Sequence, residues 1–435
     1  MKCLRARNWG AALSLTCSLG TALAAPWPSW RGPNQDQTTP ETRFPLHWNA
    51  TNHIRWKVAL PEAGNSSPVV WGDRVFVTQA TGEGKRRGLM AFDRATGKQL
   101  WTQEVGFDAA DPHHASNPHC AASPVTDGKR VVASFASAGI LACDVTGRVL
   151  WRRDLGPQRH DWGQGSSPVI DGDRILVYHG PGPGSSLHAL DAATGATLWA
   201  VPLKEEAPPE RFDGFAGKSG GAIGTFSTPL LINAGGRREL VLPVVNRLRA
   251  FSPETGAELW NVDGMNPLAY GSATFGEGRI VAMGGFFGAR MEIAPGGTGD
   301  RTSERIQYER RMKRHTIGSP VIHEGHIYVA VTDGYLQCYR LSDGTMLWEE
   351  RIPSTGSNPQ TWGSLVRAGD RLYVVNQSGD TVILRAAPKF EVLAQNPLGD
   401  LSNATPALSE GELFLRTEHA LWCVSDRVDG ASNPR

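Results

Sequence analysis

Aromatic, imidazole and carboxamide side chains recur in separate segments of this 435-residue sequence, each directly before a run that predicts a β-strand. Flat rings provide stacking surfaces, while imidazole and amide groups provide oriented hydrogen bonds. If the fold brings these segments to one face, they predict a ligand-binding site; otherwise they satisfy backbone groups of their own loops. Both interpretations stay open. The candidate residues are His119, His160, Asp161, Trp162, Tyr270, His315, Trp362 and Asn403.

Metal binding and acid–base catalysis find little support in the same segments. The imidazoles of His113, His114 and His119 are metal-ligand types, but their spacing in a Pro-flanked loop matches no familiar metal motif. His160 and Asp161 are adjacent, and adjacent side chains of an extended loop point apart. We therefore predict no metal site and identify no catalytic residue.

The elements that would position these side chains come from an internal repeat. The segment Ala91–Trp101 recurs as Ala189–Trp199 and Ala250–Trp260, with a shorter copy at Ala142–Trp151 and a looser one at Cys338–Trp348. A second block precedes several copies and begins with Ser-Pro-Val. Each pair of blocks predicts two hairpins with Gly turns, which together make a four-stranded antiparallel unit.

The spacing of the repeat tryptophans counts the units. Most gaps are 45 to 61 residues, and the last is 88, about two periods, with Tyr308 in the missing place. Four strands per period of this length are typical of propeller blades. First strands are predicted to open near Ser66, Ala122, Ser166, Ser227, Gly271, Gly318, Gly363 and Ala404. The repeat tryptophans are Trp56, Trp101, Trp151, Trp199, Trp260 and Trp348.

The chain is therefore predicted to be all-β, an eight-bladed β-propeller of four-stranded antiparallel blades. The last unit stops before its fourth strand, and Ile54–Leu60 has the pattern of a fourth strand without its blade. Pairing the two would close the ring and remove two exposed sheet edges. The alternative, a solenoid with free ends, would need capping repeats. The repeat tryptophans should bury their indoles against the neighbouring blade.

The first residues predict an export signal. Lys2, Arg5 and Arg7 precede a short apolar run that ends at an Ala-x-Ala site, which predicts cleavage near Ala24. We predict a signal peptide at 1–24, a lead-in segment at 25–53, the propeller at 54–426 and a tail at 427–435. The protein is expected in the periplasm or outside the cell, without an integral membrane segment, as a monomer.

Charge and cysteine content limit the function classes. The sequence has 44 Lys and Arg against 43 Asp and Glu, a net charge of +1, and losing three basic residues of the signal leaves 41 − 43 = −2. A nearly neutral protein is a poor candidate for non-specific nucleic-acid binding. Outside the signal, Cys143, Cys338 and Cys423 occupy apolar repeat positions, which predicts free thiols; Cys120 is the fourth cysteine.

The A-x-D-x-x-T-G-x-x-x-W pattern of the repeat resembles the tryptophan-docking motif of the pyrroloquinoline quinone (PQQ) repeat. Over roughly residues 27–426 the chain is similar to the bacterial PQQ-binding-like β-propeller proteins common in Planctomycetes-type genomes. The resemblance implies the eight-bladed fold. Eight-bladed relatives include quinoprotein alcohol dehydrogenases and non-catalytic scaffolds such as the outer-membrane assembly lipoprotein, so the fold by itself does not imply chemistry.

The features of the dehydrogenase branch are missing from the sequence. It contains no Cys-Cys pair for a vicinal disulfide against PQQ, no segment matching the calcium-binding carboxylate loops, and no C-x-x-C-H haem site. We therefore expect no cofactor, and PQQ with calcium is not supported by vicinal cysteines. The predicted function is an exported, non-catalytic binding or scaffold module, with a small-molecule or protein site at the channel mouth. The alternatives are a PQQ-dependent quinoprotein dehydrogenase and a carbohydrate-active hydrolase or lyase.

Overall fold

The computed structural model describes residues 25–182, 184–215 and 223–427. The predicted signal peptide and nearly all of the predicted tail lie outside the described residues. The remainder folds into eight antiparallel sheets arranged around one channel. In each sheet the first strand lies at the channel and the fourth at the rim. The eight-bladed β-propeller predicted from the repeat is confirmed.

Blade 3 illustrates how the repeat forms a blade. Gly172, with a positive φ of 57°, makes the tight turn between its first two strands, a conformation that glycine adopts without strain. In the second hairpin a bulge follows Ala189 and places Trp199 directly opposite that alanine. The strands of the first four blades are, in blade 1, Val69–Trp71, Arg74–Thr81, Arg86–Asp93 and Gln99–Gly106; in blade 2, Val125–Thr126, Arg130–Ser134, Ile140–Asp144 and Val149–Arg153; in blade 3, Val169–Asp171, Arg174–His179, Ser186–Asp191 and Thr197–Pro202; and in blade 4, Leu230–Ala234, Arg237–Val244, Arg247–Phe251 and Glu258–Asp263, with Gly299–Asp300 added at its rim.

The second half repeats the pattern, and each first strand begins three residues after the position at which the sequence predicted the repeat to open. A two-stranded parallel pair, Gly224–Thr225 with Leu268–Ala269, lies between blades. Short 3₁₀ helices cover Ala136–Ala138 and Thr302–Glu304. The strands are, in blade 5, Thr274–Gly276, Arg279–Met283, Arg290–Ile293 and Gln307–Glu309; in blade 6, Val321–His323, His326–Val331, Tyr335–Arg340 and Met346–Arg351; in blade 7, Val366–Ala368, Arg371–Val375, Asp380–Arg385 and Val392–Pro397, with Thr38–Thr39 beside the first; and in blade 8, Ala407–Ser409, Glu412–Arg416, Ala420–Ser425 and Ile54–Ala59.

Blade 8 joins the two ends of the propeller. Its fourth strand is Ile54–Ala59, which pairs antiparallel with Ala420–Ser425. The predicted ring closure is therefore confirmed. None of the helices among the described residues has the length and apolar character that crossing a membrane requires.

Four repeat tryptophans join one blade to the next through the same contact. The indole N–H of Trp151 donates to the Ala192 carbonyl of the following blade at 3.0 Å. Its ring lies against Gly195, where a Cβ would come within 2.6 Å, so a larger residue would collide with the indole. The same arrangement holds for Trp56 on Arg94 and Gly97, Trp101 on Val145 and Gly147, and Trp199 on Pro253 and Gly256.

The remaining blade junctions depart from this pattern. Trp260 is fully buried, but its indole donates to Glu239 of its own blade at 2.9 Å. Tyr308 lies opposite Met291, the register position of a repeat tryptophan, and its hydroxyl donates to the Gly264 carbonyl at 3.2 Å. Trp348 packs on Phe390 of blade 7. In blade 7 the same register position holds Ala394, a second substitution that the spacing of the tryptophans had hidden.

The four cysteines of the described chain are free thiols, and all are buried. Cys143, Cys338 and Cys423 lie within hydrophobic clusters between strands, as the repeat register predicted. Burial raises the pKa of the Cys120 thiol to about 12. These cysteines therefore pack as small apolar side chains.

Candidate functional site

Every first strand follows the same path along the channel, from a loop at the mouth toward the opposite end. Two residues before its first strand begins, each blade carries a serine or threonine. The backbone N–H of this residue in one blade donates to the side-chain oxygen of its counterpart in the next blade at 2.8–3.1 Å. Eight such bonds close a circle, which we call the hydroxyl ring. Its members are Ser67, Ser123, Ser167, Thr228, Ser272, Ser319, Ser364 and Thr405.

The predicted lead-in segment crosses the channel on the far side of the hydroxyl ring. Residues 27–39, here called the channel plug, bond to first strands around the circle. Trp27 bridges to Val70 of blade 1, and the Pro28 carbonyl accepts from Thr126 of blade 2. On the other side, Gln37 donates to the carbonyls of Ser319 and Leu365, in blades 6 and 7. The contacts lie at the ring or beyond it along each strand, so the plug closes that end.

The channel between the mouth and the plug is a cavity of about 550 Å³. Trp30 of the channel plug contributes to its wall, and the Trp30 indole N–H donates to Thr228 of the hydroxyl ring at 3.1 Å. All eight hydroxyl-ring residues line the cavity. The remaining lining residues are Asn65, Asn117, Ala121, Trp162, Gly165, Gly214, Phe215, Phe226, Tyr270, Phe286, His315, Thr316, Ile317, Thr332, Asp333, Gln360, Trp362, Gly363 and Asn403.

Aromatic rings in two contacting groups line the mouth. Phe226 and Tyr270 stack face to face, with centroids 5.5 Å apart and planes at 6°. Trp162 meets the edge of Phe215, and Phe215 contacts Phe286 at 5.2 Å between centroids. These rings come from loops of different blades, so their flat faces are presented to one space.

Few charges face the cavity. Burial lowers the pKa of His315, whose ring lies 5.1 Å from that of Phe286, so the imidazole is neutral at pH 7. Asp333 is the single carboxylate among the lining residues that the structure describes, and it is ion-paired with Arg314. The titratable groups of the described lining are therefore His315, Asp333 and Tyr270, and Arg314 engages the Asp333 carboxylate.

Five of the eight candidate site residues line the cavity: Trp162, Tyr270, His315, Trp362 and Asn403. They come from five connections spread over the chain, so the propeller geometry does bring them to one face. Their contact with a ligand stays a prediction.

Three candidates lie outside the cavity lining, which corrects their predicted placement. His160 is buried behind Phe226, at 5.4 Å between ring centroids, and its Nδ1 accepts the Trp162 backbone N–H, so it supports its own loop. Asp161 is exposed to solvent. His119 packs on His113 with ring centroids 4.3 Å apart, and burial lowers its pKa to about 4.

The channel plug and the hydroxyl ring were not predicted from the sequence. Six of the eight ring residues precede proline, so the recurring Ser-Pro or Thr-Pro was a visible signal that we interpreted only as the start of a strand. Trp30 gave no such signal, because its segment has no counterpart in the repeat. The three-residue group best suited to hold a metal ion within the described chain is Asp400, Glu418 and His419, none of which lines the cavity.

Comparison with known proteins identifies the family. A family model described as "Outer membrane protein assembly factor BamB" matches residues 42–182, 138–285, 244–387 and 299–433. The chain belongs to this family. BamB of Shewanella oneidensis is 24% identical over 330 residues, which are 68% of this chain and 79% of that protein.

Solved structures extend the BamB-family assignment to the fold. BamB from Moraxella catarrhalis has a TM-score of 0.58 at 13% identity, covering 88% of this chain and 99% of that one. A europium-containing methanol dehydrogenase has a TM-score of 0.67 at 12% identity, covering 91% and 90%. At these identities the likeness concerns the fold alone, and this fold occurs both in an assembly factor and in a dehydrogenase.

Proposed function

We propose that this BamB-family propeller is an exported, non-catalytic binding module that holds a small planar or sugar-like molecule in its channel cavity. The observation that carries the proposal is the cavity itself. It is closed at one end by the channel plug, and its mouth is lined by aromatic rings from separate blades. A concave, mostly apolar pocket with a few convergent polar groups is typical of small-molecule sites.

The lining supports binding more than catalysis. A general acid–base step would need a titratable group near the ligand with a free proton or lone pair. Asp333 is engaged by Arg314, and His315 packs on Phe286 and Phe287 with ring centroids 5.1 and 5.2 Å away, without a described hydrogen bond that would orient it as a base. Serine and threonine oxygens of the hydroxyl ring accept backbone N–H groups, and no described base contacts them.

A quinoprotein dehydrogenase is the second candidate, because the europium-containing methanol dehydrogenase shares the fold. Calcium and related hard cations take six or more oxygen ligands, several of them carboxylates. The described lining contains the single carboxylate of Asp333, and Cys120, the neighbour of lining residue Ala121, has no adjacent partner cysteine in the sequence. These residues do not fit a cation-held quinone.

The relatives extend the proposal to location and partners. A family named for an outer-membrane assembly factor supports a periplasmic protein and a scaffold role alongside ligand binding. We propose that export follows cleavage near Ala24. Protein partners would then dock on the loops around the mouth, where a bound ligand could order the surface.

A binding assay with matched variants tests the proposal. Unfolding temperature is measured with a panel of probes that includes indole, 2-naphthol, 2-naphthoate and phenyl glucoside. We expect at least one probe to raise the unfolding temperature of the wild-type protein. Trp162→Ala should abolish that increase, because it removes a wall of the mouth, whereas Trp71→Ala, a blade tryptophan outside the cavity, should retain it.

Two outcomes would overturn the proposal. The first is that no probe binds, or that Trp162→Ala and Trp71→Ala behave alike. The second is that incubation with PQQ and calcium produces a visible absorption band together with dye-linked alcohol oxidation. That result would replace the non-catalytic module by the dehydrogenase.

A further inference from the structure

The hydroxyl ring has donors that no described residue uses. Each of its oxygens accepts a backbone N–H from the neighbouring blade, and Thr228 also accepts the Trp30 indole. None of the eight O–H groups donates to a described acceptor, although a hydroxyl has one proton to give. Every member is at least 95% buried and lines the cavity. The cavity therefore contains eight O–H donors around one axis.

Two buried arginines adjoin the hydroxyl ring. Arg31 of the channel plug donates to the carbonyl of Ala273 and, at 2.7 Å, to Thr274, the two residues after ring member Ser272. Arg416 donates to Ser66, the residue before ring member Ser67, and to the Thr78 carbonyl at 2.6 Å. Both guanidinium groups are almost completely buried.

These two arginines differ from the other buried ones. Of the seven buried arginines in the described chain, five form an ion pair with a carboxylate, and Arg31 and Arg416 do not. The Nε atoms of both lack a hydrogen-bond partner, as does that of the paired Arg290. The paired arginines are Arg87, Arg94, Arg211, Arg290 and Arg301.

A buried charge without a counter-ion is costly, and proteins ordinarily pair it. Burial accordingly lowers the pKa of Arg31 to about 9 and that of Arg416 to about 10. Asp36 attracts the Arg31 charge from beyond ion-pair distance, while its own carboxylate accepts from Thr38. Asp36 thus offsets the Arg31 charge only in part, and Arg416 has no ion-paired carboxylate among the described residues, so positive potential remains near the ring.

Neither arginine lines the cavity, but the two lie beside the hydroxyl ring at separate positions around the channel. Arg31 bonds to blade 5, and Arg416 bonds at the junction of blades 8 and 1. In a circle of eight blades these positions lie on opposite sides of the channel. Their electrostatic potentials add near the axis that the hydroxyl ring surrounds.

We propose that the channel cavity selects a planar organic anion, an aromatic carboxylate, whose carboxylate group lies within the hydroxyl ring between Arg31 and Arg416. The aromatic part would lie among the rings of Tyr270, Phe226 and Trp162 at the mouth. A carboxylate has two acceptor oxygens and a negative charge, so it uses the O–H donors and balances the buried cations. This inference rests on the proposed ligand-binding function and specifies the ligand class.

The charge requirement can be tested on the wild-type protein with an isosteric pair of probes. 2-Naphthoate and 2-naphthamide have the same ring system and nearly the same shape, but only the first is anionic at pH 7. Isothermal titration should show naphthoate binding about 10-fold or more tighter than the amide, as expected when an ionised acceptor replaces a neutral one. If the hydroxyl ring binds an oxyanion without help from the aromatic rings of the mouth, sodium sulfate should compete with naphthoate.

Two variants test whether Arg31 causes the preference for the anionic probe. Arg31→Gln should reduce naphthoate affinity about 10-fold while leaving naphthamide affinity unchanged, because only the anion senses the lost charge. Arg301→Gln is the matched control, since Arg301 is equally buried but paired with Glu304 away from the cavity, and it should change neither affinity. Circular dichroism and unfolding temperature confirm that each variant is folded, and the wild-type comparison stands if Arg31→Gln does not fold.

The outcomes separate this inference from the proposed function. If both probes bind equally, the anion preference is wrong and the ligand-binding function stands. If neither naphthoate nor naphthamide binds, while another probe of the panel stabilises the protein, the ligand class is again wrong. If no probe binds at all, both proposals fail.

Discussion

Trp151 illustrates how one residue type holds neighbouring blades together. Its indole ring covers Gly195, and its N–H donates a hydrogen bond to the Ala192 carbonyl. Only 7% of the residue is exposed to solvent. Trp199 makes the same contacts but remains half-buried. Tryptophans at equivalent repeat positions are therefore expected to contribute differently to the free energy of unfolding, because the exposure of their rings differs.

Replacing Trp151 by alanine should cost about 3–5 kcal/mol of unfolding free energy, the range for a buried aromatic side chain. Trp199→Ala should cost less, since part of its indole is already in water. Urea unfolding of the two variants measures both values. Equal midpoints for the two variants would show that exposure does not govern the contribution of these tryptophans.

His119 provides a residue-scale prediction about pH. Burial, and after it the guanidinium of Arg87, lower its pKa to about 4, below the ordinary value of about 6.5 for the unfolded chain. The unfolded state thus binds a proton first, and stability falls as pH decreases from about 6.5 to about 4. His119→Gln should lose less stability over this interval than the wild type. The control His47→Gln, at an exposed position, should follow the wild-type curve.

At the scale of elements, two segments before the first complete blade make contacts far from their neighbours in sequence. The strand Ile54–Ala59 completes blade 8, and the channel plug closes one end of the channel. The predicted lead-in segment is therefore part of the propeller architecture, with Thr38–Thr39 paired to the first strand of blade 7. Ring closure and channel closure depend on adjacent stretches of chain.

Replacing Ile54–Leu60 by a seven-residue Gly/Ser linker should destabilise the protein more than Trp56→Ala alone. The linker removes both the Trp56 contact with blade 1 and the backbone pairing with Ala420–Ser425, and it exposes a sheet edge. We expect the unfolding temperature to decrease by several degrees, because 1 kcal/mol corresponds to about 2–4 °C in chains of 150–250 residues and to less in this longer chain. Similar unfolding temperatures for the two variants would contradict the closure role.

For the whole molecule, the channel has one open end, aromatic walls at its mouth, and two buried arginines without ion pairs beside the hydroxyl ring. The cavity of about 550 Å³ lies within the usual range for small-molecule sites. The BamB-family fold supplies a rigid ring, and the lead-in segment converts that ring into a blind pocket. Binding and scaffold roles are compatible in such an architecture, because the mouth loops surround the pocket.

Export is the prediction at this scale. When the full chain is produced in a Gram-negative host, the protein in the periplasmic fraction should begin at Ala25, as measured by intact mass. Replacing Ala22 and Ala24 by bulky residues should leave the precursor uncleaved, since signal peptidase requires small residues there. Accumulation of the wild-type precursor in the cytoplasm, with no mature chain in the periplasm, would contradict the export proposal.

The repeat pattern was sufficient to predict the blades, their number and the closing strand. Alternation of apolar residues, Gly turns and a recurring Trp are local signals, and each copy repeats the information, so errors in one unit are corrected by the others. The same redundancy placed Trp162, Tyr270, His315, Trp362 and Asn403 at one face. It also placed Cys143, Cys338 and Cys423 in the core.

Only the tertiary structure decided which side chains face the cavity and what closes it. His160 and Trp162 lie two residues apart, yet one is buried behind Phe226 and the other lines the cavity, because loop conformation sets side-chain direction. The channel plug has no repeat, and its contacts join residues more than 200 positions apart, as between Arg31 and Ala273. Such long-range bonds leave no periodic trace in a sequence, so the closed channel and its two unpaired arginines emerged only from the fold.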